Sequence, residues 1–442
     1  MKLTPSPIEI EEHEGFAPEK DIFQRVHFAE ELYNLIDNVD DELVIALDAP
    51  WGEGKTTFVK MWRGMLNAKG VESIYFDAFK NDYLEDPFLA MVGEVYSLLG
   101  GEKNKDVKKE FKAKAVSAIK TIGKAGIRIG LKAITAAVLD DTALKGAGAE
   151  KEISDISDKY ISKRLDTLEA DKSSIDDFRK MLSSVALTIG GEHKIVFIID
   201  ELDRCKPSFA LDLLEKIKHI FSIPGIIFVL VMNRGQMDEI IKSRYGLGID
   251  STKYLQKFVH VWCGLPKSNG YTSNGKIYLR NCLSRMDFEI TTRTQQTGIE
   301  LYEELIVHYN MSPREIERSL TNFAIIHNIF KGNLNSDYLW LSIYLSIEKV
   351  LFPNCYRQIM LGNITYEEVI KETNLQTLEA DYWKADKPEG HPIRWLLKYY
   401  LSNEEDAKAL LTHGNFLESR DYGRSALKNI CRWLDSFKRN NE

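Results

Sequence analysis

Asp48-Ala49-Pro50-Trp51-Gly52-Glu53-Gly54-Lys55-Thr56-Thr57-Phe58 joins the end of an apolar run to a Gly-containing loop and then to a helical pattern. The run before it, Leu43-Val44-Ile45-Ala46-Leu47, is apolar throughout and partly β-branched, as a buried strand requires. A phosphate tail needs backbone N–H groups that converge on one point, and glycines let a loop turn sharply enough to aim them. The helix that follows adds the positive end of its dipole. Lys55 is placed to reach the β- and γ-phosphates as a point charge, and Thr56 to offer its hydroxyl to Mg²⁺. A Gly-Lys-Thr triplet alone is a weak signal in a chain of 442 residues, so the strand–loop–helix context carries the assignment. At the first loop position Ala49 replaces the usual glycine. Pro50 pushes Ala49 toward extended backbone, which alanine adopts freely.

Four more short apolar runs lie outward from this point: Ile74-Tyr75-Phe76, Ile195-Val196-Phe197-Ile198-Ile199, Ile226-Ile227-Phe228-Val229-Leu230-Val231 and Phe258-Val259-His260-Val261-Trp262. Runs without alternation suit strands covered on both faces, which predicts an α/β core over residues 20–265 with a parallel sheet wrapped by helices. The third run ends in Asp200-Glu201-Leu202-Asp203-Arg204, so a central strand delivers carboxylates to its C-terminal edge, where open α/β sheets bind ligands. Asp200 is placed to hold the Mg²⁺ shell through water, and Glu201 to polarise the attacking water as general base. Asn233 ends the fourth run and either orients that water or forms a turn. Arg314, in Met311-Ser312-Pro313-Arg314-Glu315-Ile316, starts a helix and either reaches back to the γ-phosphate or forms a salt bridge on the lid. Arg204 follows the acids directly and is a candidate for acting in trans on a neighbouring subunit.

The spacing divides the chain into 1–100 (first part of the core), 101–190 (a helical, partly basic insertion), 191–265 (rest of the core), 266–330 (a helical lid) and 331–442 (a helical C-terminal domain). Within the insertion, residues 102–132 hold ten Lys or Arg against three acids, although the whole chain has a formal charge of −8. Lys120, Lys124, Arg128 and Lys132 recur every four residues beside isoleucines, drawing a basic amphipathic helix. Such a face is either simply solvated or touches a membrane surface, an acidic partner or nucleic acid. The longest uncharged run, about fifteen residues ending at Asn233, falls short of the roughly twenty a membrane helix needs, so no span is expected. Five dispersed cysteines without a CxxC pair, and no leader before Met1-Lys2-Leu3, predict a reducing cytoplasm. The histidines lack zinc-site spacings. Trp340, Trp383, Trp395 and Trp433 in the last third are expected to be packing residues.

Several ordered motifs together resemble the KAP family of P-loop NTPases, over residues 20–325. Pro50-Trp51-Gly52-Glu53-Gly54-Lys55-Thr56-Thr57 is similar to that family's PWGxGKTS loop, and Tyr75-Phe76-Asp77-Ala78-Phe79-Lys80 to its WFNAWRY. Asp200-Glu201-Leu202-Asp203-Arg204-Cys205 is similar to its DDLDRC apart from the second acid. Tyr254-Leu255-Gln256-Lys257 resembles its YLEK, and Pro313-Arg314-Glu315-Ile316-Glu317-Arg318 its PRxIKR. The resemblance implies an α/β P-loop NTPase with a five-stranded parallel sheet in the order 5-1-4-3-2, ATP with Mg²⁺ as cofactors, and slow hydrolysis coupled to assembly or switching. Members often carry transmembrane helices between the two nucleotide motifs, whereas the insertion here is cationic. Bacterial members often lie beside antiviral defence genes, so the resemblance also implies a defence role.

The function expected is therefore a cytoplasmic ATPase that switches a homo-oligomer or licenses a partner effector, since this chain holds no second catalytic constellation. The alternatives are a nucleotide-gated binding module with negligible hydrolysis and a nucleic-acid-sensing or translocating ATPase using the basic helix 103–132. Base preference stays open, although no guanine-reading NKxD is present.

Overall fold

The computed structural model describes residues 1–39, 41–84, 86–100, 104–138, 149–266, 274–378, 391–412 and 425–436. Five parallel strands, β1 (Leu43–Asp48), β2 (Ser73–Asp77), β3 (Ile195–Asp200), β4 (Ile226–Met232) and β5 (Val261–Gly264), form one sheet in the order β2-β3-β4-β1-β5. This is the expected 5-1-4-3-2 order read from the other edge. β1, β3 and β4 are buried almost throughout, which is why their sequences are apolar on both faces.

Side chains alternate between two cores along each strand. Ile45, Leu47, Val196, Ile198, Val229 and Val231 face the helices α1 (Val26–Asp37) and α2 (Lys55–Ala68). Val44, Ala46, Phe197, Ile199, Phe228 and Leu230 face the opposite layer. Helices α3 (Ala78–Asn81), α4 (Pro87–Leu98), α5 (Lys105–Val138) and α6 (Ala149–Gly190) lie between β2 and β3, so the long crossover is a helical insertion. Its base is clamped by Phe88, Phe111, Phe178 and Phe221, all fully buried, with ring centroids 5.2–5.9 Å apart. Each such ring contributes about 2–3 kcal/mol by burial alone. Arg179 of α6 adds hydrogen bonds to the carbonyls of His219 and Ser222, at 2.7 and 2.9 Å. α6 then runs into β3 through a short turn, so the insertion is mechanically continuous with the strand that carries Asp200. Lys120 is exposed; Lys124, Arg128 and Lys132 lie outside the residues whose side chains are described.

Helices α7 (Pro207–Lys216), α8 (Arg234–Tyr245) and α9 (Ser251–Leu255) complete the core. The fifth strand begins three residues later than the sequence pattern predicts. Phe258 and Val259 instead close a turn, both N–H groups donating to the Leu255 carbonyl, and bury themselves against the helical layer, so their apolar character reflects packing outside the ladder.

Beyond the sheet, α10 (Asn274–Arg285), α11 (Arg293–His308), α12 (Pro313–Ile329) and α13 (Ser336–Leu351) build a separate apolar cluster with the C-terminal helices. α11 and α12 start at capping boxes, Thr292 with Gln295 and Ser312 with Glu315. Trp340, Trp395 and Trp433 pack into this cluster, while Trp383 lies outside the described residues. The N-terminal segment laces α10 to the rest: Lys2 N–H donates to the Met286 carbonyl, and the Arg285 guanidinium to the Ser6 carbonyl. No helix among the described residues is long and apolar enough to cross a membrane.

Candidate nucleotide site

The loop between β1 and α2 opens on a cavity of about 330 Å³. Ala49 continues the ladder, its N–H bonded to the Met232 carbonyl, and it stays outside the left-handed region, so no glycine is needed there. Gly52 and Gly54 adopt φ +88° and +80°, the conformations glycine tolerates best. A Cβ on Gly52 would lie 2.6 Å from Cβ of Arg314, so the glycine also lets the start of α12 press against the loop. Lys55 Nζ donates to the carbonyls of Ala49 and Pro50, at 2.5 and 3.1 Å, bridging the loop. Burial pushes its ammonium toward deprotonation, and Asp203, Asp200 and Asp48 pull it back.

Asp200, 1% exposed, ends β3 beside the loop. Its Oδ1 accepts the Glu201 N–H at 2.8 Å, its Oδ2 accepts the Tyr75 hydroxyl at 2.9 Å, and the Thr56 hydroxyl also bonds to it. Burial raises the carboxyl's pKa, and these donors oppose the rise. Thr56 and Asp200, expected to share a metal, are thus in direct contact. Glu201 sits at φ +59°, a conformation costly for a non-glycine residue and held here by the turn Leu202–Arg204. Burial raises its pKa too, against the Arg204 guanidinium, whose Nη1 lies 2.9 Å from Oε1.

Arg204 and Arg314 both line the cavity of their own chain. Arg314 is exposed and, among the described residues, makes no ion pair. Asn233 is the N-cap of α8, its Oδ1 accepting the Gln236 N–H at 3.4 Å. Beside it, Asp48 Oδ1 accepts the Arg234 N–H at 2.9 Å, tying the ends of β1 and β4.

Three contacts escape a reading of the sequence. Arg25, 3% exposed, donates from Nη1 to the Glu53 carbonyl at 2.9 Å and lies 4.6 Å from the centroid of Phe23. Burial lowers its pKa to about 10. Asp21 holds this strap by accepting the N–H groups of Arg25 and Val26. Tyr278 of α10 stacks on Phe23 at 5.6 Å and closes the same cavity wall, and Trp51 donates from Nε1 to Asp203 at 2.5 Å. The signals were faint: an arginine two residues after the apolar pair Ile22-Phe23, and a tyrosine in a helix; Trp51 belongs to the loop motif, but the spacing does not name Asp203 as its partner.

The arrangement is a phosphate-binding loop facing two strand-end acids, and the family model for the KAP family P-loop domain matches residues 25–330. The chain belongs to the KAP family of P-loop NTPases. The KAP domain thus spans the whole sheet, the insertion and α10–α12. No curated relative matches the sequence. Among solved structures, the chain is similar to the ORC2 protein of Aeropyrum pernix in ADPNP–ADP complexes, with 13% identity over 92% of this chain and 94% of that one and a TM-score of 0.35. It is also similar to AMPPCP-bound DnaA from Aquifex aeolicus, with 10% identity, 82% and 89% coverage and a TM-score of 0.26. Both likenesses are loose.

Proposed function

We propose that this KAP protein is a Mg²⁺-dependent ATPase whose nucleotide state switches an oligomer or licenses a partner effector. The observation that carries hydrolysis beyond mere binding is Glu201: a half-buried carboxylate, one residue beyond the strand-end Asp200, held in a left-handed conformation beside the phosphate loop. A general base of this kind contributes about 10²–10⁴-fold to rate. Lys55 and the loop N–H groups would take the phosphates. The hydroxyl and carboxylate of Thr56 and Asp200 are hard oxygen donors that fit Mg²⁺, which would neutralise charge on the phosphates when bound. Arg314 would sense the γ-phosphate from α12. Asn233 caps α8 through its oxygen, and its amide N–H groups, without a partner among the described residues, would orient water. Effector chemistry belongs to a partner, and the setting we infer from the family resemblance is antiviral defence.

The test is phosphate release from ATP by the wild type, Lys55→Ala and Glu201→Gln, with size and mass measured with and without nucleotide. Both variants should lose hydrolysis, and Glu201→Gln should keep ATP-dependent assembly. A wild type that binds ATP but releases no phosphate, alone or with DNA, RNA or protein, would overturn the reading in favour of a nucleotide-gated binding module.

A further inference from the structure

Asp200 has a partner that none of the nucleotide motifs supplies. β2 and β3 run parallel in a register that pairs Tyr75 with Ile198 and Asp77 with Asp200. Tyr75 and Asp200 are therefore diagonal neighbours on one face of the sheet, a separation of about 7–8 Å between backbones that only a long side chain spans. The phenol spans it, reaching Oδ2 at 2.9 Å. Asp77, directly opposite, is turned to α3 instead, accepting the Lys80 N–H at 2.9 Å and pairing with its ammonium at 3.2 Å. The Tyr75 ring is itself held from above by the Arg63 guanidinium of α2, 5.5 Å from its centroid.

An ionised carboxylate has about four acceptor directions. The Glu201 N–H, the Thr56 hydroxyl and the Tyr75 hydroxyl take three of them. When a metal draws the Thr56 hydroxyl away, two donors on opposite oxygens still fix the plane of the carboxylate. We propose that Tyr75 is a positioning residue: its hydroxyl orients Asp200 toward the metal–nucleotide, so that an edge-strand side chain sets how tightly the site holds its cation. This rests on the ATPase reading above.

The experiment uses the full chain and Tyr75→Phe, which keeps the ring and removes the hydroxyl. Mn²⁺ binding to the ADP complex is followed by electron paramagnetic resonance, and ADP binding is measured separately in EDTA. The expected result is about a tenfold weaker Mn²⁺ affinity, within the usual range for losing an outer-shell partner, and an unchanged ADP affinity in EDTA. ATP turnover should show a raised Mg²⁺ requirement with kcat recovered at saturating Mg²⁺. Mn²⁺ affinity within twofold of wild type, or an equal loss of ADP affinity in EDTA, would overturn the assignment while leaving the ATPase reading intact. A wild type that takes up no metal with ADP would overturn both. Should Tyr75→Phe fail to fold, Tyr75→Met removes the same hydroxyl with a flexible apolar side chain, and the same outcomes apply.

Discussion

Glu201 Oε1 lies 2.9 Å from Arg204 Nη1, within the turn that follows β3. The proposed general base is thus oriented by an arginine of its own chain. Arg204→Ala should lower kcat at least tenfold with little change in ATP KM, because orientation of the base matters more in the transition state than in the bound ground state. Arg204→Lys should recover part of the loss, since a point charge replaces a planar fork. Mixing Arg204→Ala with Lys55→Ala should give no recovery. Recovered phosphate release in the mixture would instead assign Arg204 to a neighbouring subunit's site.

Gly52 allows α12 to touch the phosphate loop. Gly52→Ala meets two obstacles, a φ of +88° and a Cβ placed 2.6 Å from that of Arg314. The variant should be destabilised by more than about 1 kcal/mol, read by urea unfolding, and should lose nucleotide affinity as the loop and α12 separate. Wild-type stability and affinity would mean that the contact is not maintained in solution. Arg314→Ala separates the two roles: turnover should fall about tenfold or more while stability holds, because the side chain is exposed and unpaired among the described residues.

Arg25 bonds the N-terminal strap to the Glu53 carbonyl of the loop. Arg25→Ala leaves that carbonyl without its donor and removes the cation over Phe23, which should cost about 1–3 kcal/mol in stability. ATP affinity should drop with it, measured by titration with a fluorescent nucleotide. Arg25→Lys should rescue little, because an ammonium cannot hold both the carbonyl and the ring. Equal ATP affinity in all three proteins would confine Arg25 to a structural role.

The sheet, its order and the loop were legible because each is written locally or in ordered motifs. β1, β3 and β4 are apolar on both faces as two-sided burial demands, and Lys55, Thr56 and Asp200 stand at strand and helix ends. Phe258 and Val259 misled the boundary of β5, since a turn buried under a helical layer has the same composition as a strand. Tyr75 and Arg25 were not legible for a different reason. A tyrosine suits any strand, and the hydrogen bond that distinguishes this one joins residues 125 positions apart. The polar partners of the C-terminal helices likewise follow from three-dimensional packing, which periodicity does not encode.

Glu348 is the clearest case in that half. It lies on α13, 0% exposed, and among the described residues neither carboxylate oxygen finds a well-formed hydrogen bond, only the weak contacts of Cys355 and Tyr344. Burial pushes its pKa up to about 7, a rise that Cys355 and Tyr344 beside it only partly oppose and that Glu372 reinforces. The folded chain therefore binds this proton more tightly than the unfolded chain, whose carboxyl ionises near 4.5. Below pH 4.5 both states carry the proton and the group costs nothing extra. As pH rises from 4.5 to 7 the unfolded chain gains an ionisation that the folded chain resists, and stability falls. Above pH 7 the loss levels off, at about 3 kcal/mol. Glu348→Gln stays neutral at every pH, so its melting temperature should exceed that of the wild type by more at pH 8 than at pH 5. Parallel melting curves for the two proteins across that range would mean that Glu348 ionises as freely in the fold as in the unfolded chain.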